Sequence, residues 1–225
     1  MKIYKINIPL YGIIIMLSVA IGASYIYKSL KKEGYNNKNI LLYFIMYIIF
    51  AFSFGKIYTM LVNPKITFFI EAGLSSYGGL IGTLLASIIF EKILPSEGKI
   101  IKYTVLSLPL IYGLSKIACF ISGCCYGLPY EGYFSVTYVN YLGISLFPIQ
   151  ITETIIFIIV FILCNKFRYR ENIIYDTIII SAIMKFLLDF LRYDHINKNI
   201  TTNQIFSIVL CVITIMVWLF FISCG

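Results

Sequence analysis

Five ionisable side chains stand inside stretches that are otherwise apolar: Lys56, Lys116, Glu153, Lys185 and Asp189. An ionised group at the centre of a membrane helix costs about 2.5–3.5 kcal/mol on insertion scales, so such groups need partners or a task. Lys185, Asp189 and Arg192 are spaced to share one helical face, and Gln150 shares a face with Glu153 three residues on. Ion pairing that pins helices together is one reading of the set. Its excess of cations gives the other: a polar pocket for an anion, for which a phospholipid head group is the abundant candidate. The run Ser75-Ser76-Tyr77-Gly78-Gly79-Leu80-Ile81-Gly82 opens a further apolar stretch. Its paired glycines would let a phosphate or another backbone approach a helix N-terminus closely.

These residues must be positioned by membrane helices. The 225-residue chain is 60% hydrophobic and 12% charged, with mean hydropathy +0.90, far from the balance of soluble domains. A spanning helix needs about twenty mostly apolar residues. Seven runs qualify: 9–30, 40–62, 77–94, 103–121, 149–165, 173–191 and 204–223. The expected fold is all-α, a polytopic integral membrane protein forming one membrane domain over residues 1–225, with no internal repeat. The first run is too long for a removable signal peptide and no small-residue cleavage pattern follows it, so it is expected to be retained. The segment 66–73 is too short to span and reads as re-entrant or interfacial.

The formal net charge of +8 is distributed as topology signals rather than as a nucleic-acid surface. Alternate loops carry Lys28, Lys31, Lys32, Lys38, Lys92, Lys99, Lys102, Lys166, Arg168 and Arg170; the other side carries Lys2, Lys5, Lys65, Arg192 and Lys198. Basic loops prefer the cytoplasm, which puts the N-terminus outside and the C-terminus inside. Helices two, four and six then run outward, and Lys56, Lys116 and Lys185 fall in their later halves. The charged set gathers in the outer leaflet.

The cysteines are Cys119, Cys124, Cys125, Cys164, Cys211 and Cys224. C-x4-C-C is neither a zinc pair nor a C-x-x-C redox motif, so no metal and no cofactor is expected. A disulfide from Cys119 to Cys124 or Cys125 stays open, and Cys164 and Cys211 read as small apolar fillers. The single histidine, His195, reads as an exposed loop residue unless its loop folds back.

Taken in order, these blocks resemble the prolipoprotein diacylglyceryl transferase family of bacterial inner-membrane enzymes. Tyr11-Gly12 and Gly55-Lys56 are similar to its early blocks, and Tyr77-Gly78-Gly79-Leu80 to its His-Gly-Gly-Leu. Lys116-Ile117-Ala118-Cys119-Phe120-Ile121-Ser122-Gly123 resembles its Arg-Ile-Gly-Asn-Phe-Ile-Asn-Gly signature. Pro148-Ile149-Gln150 with Glu153, and Lys185-Phe186 with Asp189 and Arg192, are similar to its two late blocks. The departures are Lys for Arg at 116 and 185, Tyr for His at 77, Asp for Glu at 189, and Cys at 119 and 124 where the family has Asn and an acid. Charge sign survives nearly everywhere, while the bidentate guanidinium fork is lost at two places.

The resemblance implies transfer of a diacylglyceryl group from phosphatidylglycerol to the lipobox cysteine thiol of a prolipoprotein, at the bacterial cytoplasmic membrane. Its partners would be the lipid, the prolipoprotein signal peptide and the membrane, with no nucleic acid. Lys116, Lys185 and Arg192 would face the departing phosphate, with Lys56 behind them. Glu153 and Asp189 would orient the lysines, Gln150 would bind glycerol hydroxyls, and Gly78 and Gly79 would line the substrate. Tyr77, a poor base near neutral pH, would donate a hydrogen bond, which leaves the base unassigned. A different acceptor or lipid, and a non-enzymatic lipid-binding, transport or thiol-redox protein, stand as alternatives.

Overall fold

The computed structural model describes residues 2–3, 8–63, 68–69, 71–73, 75–94, 98–138 and 143–224. Lys5 and Lys65, used above for topology, and residues 66, 67 and 70 of the short apolar segment lie outside this set. Among the described residues are seven α-helices: α1 (Ile8–Lys32), α2 (Asn37–Val62), α3 (Ser76–Ile93), α4 (Lys99–Ser122), α5 (Ile149–Lys166), α6 (Ile173–Asp189) and α7 (Thr202–Cys224). They fall on the seven apolar runs. Six are long and apolar enough to cross a membrane, and α6, at 17 residues, is just shorter. Of the basic residues read as loop residues, Lys28, Lys31 and Lys32 instead belong to α1, Lys38 to α2, Lys92 to α3, Lys99 and Lys102 to α4, and Lys166 to α5. The chain is a multi-pass membrane protein.

Its surface is built for lipid. On α7, Ile205, Ile208, Val212, Met216 and Phe220 are exposed, while Gln204, Ser207 and Thr214 are buried. Small polar residues inside and apolar residues outside suit a helix whose solvent is hydrocarbon.

The residues form two compact units, 1–22 with 109–225, and 23–108. In the second unit α2 packs along α3. A Cβ on Gly78 would overlap the Phe54 carbonyl oxygen and stand 2.8 Å from the Gly55 Cα, and one on Gly82 would overlap the Phe50 carbonyl. Glycine at these two places lets the backbones touch. Tyr43 and Thr104 share a buried hydrogen bond, and the Tyr43 ring packs 5.4 Å from Phe90.

The first unit holds α5, α6, α7 and a feature that periodicity does not foreshadow, a small sheet. Strand β1 (Lys2–Ile3) pairs in parallel with β2 (Val136–Tyr138), which pairs antiparallel with β3 (Ser145–Leu146). Val136, Tyr138 and Leu146 form its core with Phe120, Tyr126 and Tyr193. Beside it, the segment after α4 is hydrogen-bonded on both edges: Leu128 N–H donates to the Leu191 carbonyl and Phe147 N–H to the Leu128 carbonyl, each at 2.9 Å. Gly127 bridges to Arg192, and a Cβ there would meet the Leu191 carbonyl at 3.0 Å.

Candidate functional site

One carboxylate on α5 meets a buried cation from α4, one from α6 and one from just beyond α6. Ile149, Phe157 and Leu188 form the apolar cluster that holds α5 against α6, with Tyr112 of α4 packed on it. This fixes Glu153, one turn into α5 and 0% exposed. Its Oε1 accepts from Lys185 Nζ at 2.7 Å, and Arg192 Nη2 reaches Oε1 at 2.7 Å and Oε2 at 2.8 Å. Lys116 Nζ pairs with Oε2 at 3.4 Å. One carboxylate therefore faces three cations.

Asp189 is the second anion. It pairs with Arg192 Nε at 3.2 Å and lies 3.9 Å from Lys185 Nζ. Thr201 donates a hydrogen bond to its Oδ2, and Asn203 Nδ2 donates to Oδ1 at 3.0 Å. The loop after α6 does fold back. In the 3-10 turn Tyr193–Ile196, the His195 ring packs 5.0 Å from Phe190, and its Nε2 stands 4.0 Å from Asp189 Oδ2. His195 is thus not the exposed loop residue read from its position in the chain.

Gln150 is fully buried, and its Nε2 donates to the Cys124 carbonyl at 2.8 Å and to Tyr138 Oη at 3.2 Å. The amide nitrogen is spent on holding the turn after α4. The Oε1 has no hydrogen-bond partner among the described residues and remains as an acceptor.

Lys116, Gln150, Glu153, Lys185, Asp189 and Arg192 are therefore brought together. Lys56, Tyr77, Gly78 and Gly79 belong to the second unit. Lys56 Nζ donates to the Phe69 carbonyl at 2.8 Å and lies over the Phe52 and Phe69 rings. Tyr77 stands 6.0 Å from the Tyr58 ring. Of the paired glycines, Gly78 admits the backbone of α2, whereas a Cβ on Gly79 would meet only the Ala51 carbonyl, at 3.8 Å.

Tyr112 was missed in the sequence. Its ring lies 4.7 Å from Lys116 Nζ and 5.4 Å from Lys185 Nζ, and its hydroxyl donates to Glu153 Oε1 at 3.1 Å. The available signal was its place four residues before Lys116, on the same helical face. Tyr138, Thr201 and Asn203, neutral residues in polar stretches, carried none.

Close by, Cys119, Cys124 and Cys125 bring their sulfurs within 4.8 Å of one another. The Cys125 thiol is pulled well below the ordinary range by hydrogen bonds from Cys119 and Cys124, helped by the charges of Lys116 and Arg192.

Such a fold and site define a multi-pass membrane protein with a buried, cation-rich cluster. The chain belongs to the prolipoprotein diacylglyceryl transferase family, whose model matches residues 1–220. It is 28% identical to the phosphatidylglycerol–prolipoprotein diacylglyceryl transferase of Clostridium tetani, over 96% of this chain and 94% of that one. The enzyme of the same name in Clostridioides difficile is 26% identical, over 85% and 82% of the two chains. A Clostridium perfringens enzyme, phosphatidylglycerol–prolipoprotein diacylglyceryl transferase 2, is 25% identical over 92% and 88%.

Proposed function

We propose that this protein transfers the diacylglyceryl group of phosphatidylglycerol to the cysteine thiol of a prolipoprotein signal peptide at the bacterial cytoplasmic membrane. The glycerol carbon–oxygen bond to phosphate breaks, a carbon–sulfur bond forms, the thiol proton is released and glycerol phosphate departs. The observation that carries this reading is the Glu153 cluster. Lys116, Lys185 and Arg192 outnumber Glu153 and Asp189 and leave one positive charge for a phosphate.

Negative charge grows on the departing phosphate in the transition state. Cations fixed in advance stabilise it there more than in the ground state. Glu153 and Asp189 hold the three cations in place, so little reorganisation accompanies reaction. The Gln150 Oε1, left without a partner, suits a glycerol hydroxyl. Nucleic acid has no part in this reading, because the basic residues follow the helix ends.

The test is purified protein with radiolabelled phosphatidylglycerol and a lipobox peptide. Labelled peptide thioether is expected. Lys116→Ala should lower kcat at least about 100-fold, as loss of one pre-aimed donor does elsewhere. Lys116→Arg, which keeps the charge and adds a bidentate fork, should remain active. Absence of transfer from a sample with lipid bound would overturn the reading.

A further inference from the structure

The turn that follows α4 carries chemistry the transfer reaction does not use. Cys119 lies on the last turn of α4 and is buried, while Cys124 and Cys125 stand just past its end. The chain reverses there. Gly123, at φ 68°, ends the helix, and the Cys124 N–H donates to the Cys119 carbonyl at 3.1 Å. Cys125 follows at φ 55°, the single non-glycine residue with positive φ among those described. A side chain in that conformation is held there by its surroundings. Here the Gln150 Nε2 pins the carbonyl between the two cysteines, and Ser122 Oγ lies 3.3 Å from Cys124 Sγ.

The result is three sulfurs gathered by a reversed chain, all within 4.8 Å of one another. A soft ion with metal–sulfur bonds of about 2.3 Å sets its ligands roughly 4 Å apart, close to this arrangement. We propose that Cys119, Cys124 and Cys125 form a three-thiolate site for a soft d10 metal ion, monovalent copper or divalent zinc. The C-x4-C-C spacing gave no expectation of metal, because the third ligand comes from a positive-φ residue that no spacing rule encodes.

The charge balance favours it. Binding displaces the thiol protons to solvent, and three thiolates around either ion keep a net negative charge. Lys116, one turn before Cys119 on α4, places a cation next to the cluster in the chain. Cys125 is exposed and gives the ion a way in. Thiolate ligands of this kind select soft ions over magnesium or calcium.

The test titrates the reduced, purified full-length protein in detergent with monovalent copper, and separately with divalent zinc, each against a chromogenic competitor. Cadmium serves as a spectroscopic probe of thiolate charge transfer. One equivalent of copper or zinc per chain is expected, and the arm that binds more tightly names the ion. Cys119→Ser, Cys124→Ser and Cys125→Ser should each weaken binding at least tenfold, with an unchanged size-exclusion profile, whereas Cys164→Ser should not. A wild-type protein with no stoichiometric complex in either arm would overturn the proposal. So would a complex that survives all three serine substitutions together, or a disulfide among these cysteines in protein recovered from native membranes. The titration reads metal and not transfer, so it stands whichever way the lipid assay falls.

Discussion

Glu153 meets Lys116, Lys185 and Arg192 in a setting where water is excluded. Exchange of its charge leaves three buried cations with only Asp189 to answer them. Breaking a buried pair by removing one partner costs about 3–5 kcal/mol. Glu153→Gln should therefore lower the thermal unfolding midpoint in detergent and abolish transfer, while Glu153→Asp should retain more of both. A midpoint unchanged by the glutamine would mean that the cluster does not depend on this carboxylate. At this scale the sequence was readable at Lys116, Glu153, Lys185 and Asp189, where a charge interrupting an apolar run is met by another, whereas Lys56 rests on the Phe69 carbonyl and two aromatic rings. Tyr112, Thr201 and Asn203 cost little on their own, so nothing in the chain marked them, although each touches a charged member of the cluster.

Among the elements, α3 offers an internal control. Gly78 meets the α2 backbone, whereas Gly79 has room for a methyl group. Gly78→Ala should reduce stability and yield. Gly79→Ala should fold at least as well, since alanine is the better helix former by about 1 kcal/mol. If Gly79 nevertheless lines the lipid phosphate, the same substitution will fold normally and raise KM for phosphatidylglycerol, so thermal and kinetic readouts taken together separate packing from binding. The helices were legible because each apolar run is about as long as a bilayer is thick. The sheet was not, since its strands are two or three residues long and too short for alternation to register. Yet the segment beside it, through Gly127 and Leu128, fixes the backbone on either side of Arg192.

For the whole molecule, the distribution of lysine and arginine predicts an external N-terminus and a cytoplasmic C-terminus. Reporter fusions after residues 34 and 169 should read as cytoplasmic, and one after residue 132 as external. The opposite pattern would move the charged cluster to the inner leaflet and away from a translocated acceptor. A second property follows from helix length. At 1.5 Å per residue, α6 is about 26 Å long and α5 about 27 Å, shorter than hydrocarbon of about 30 Å. One way a bilayer accommodates such short walls is to thin around them. The start of α5 and the end of α6 carry the charges, so lipid head groups are drawn toward the site by the shape of the membrane itself. Transfer should accordingly run faster in bilayers of short acyl chains than in thick ones, at equal phosphatidylglycerol content. The thickness of the host membrane then acts as a dial on the reaction.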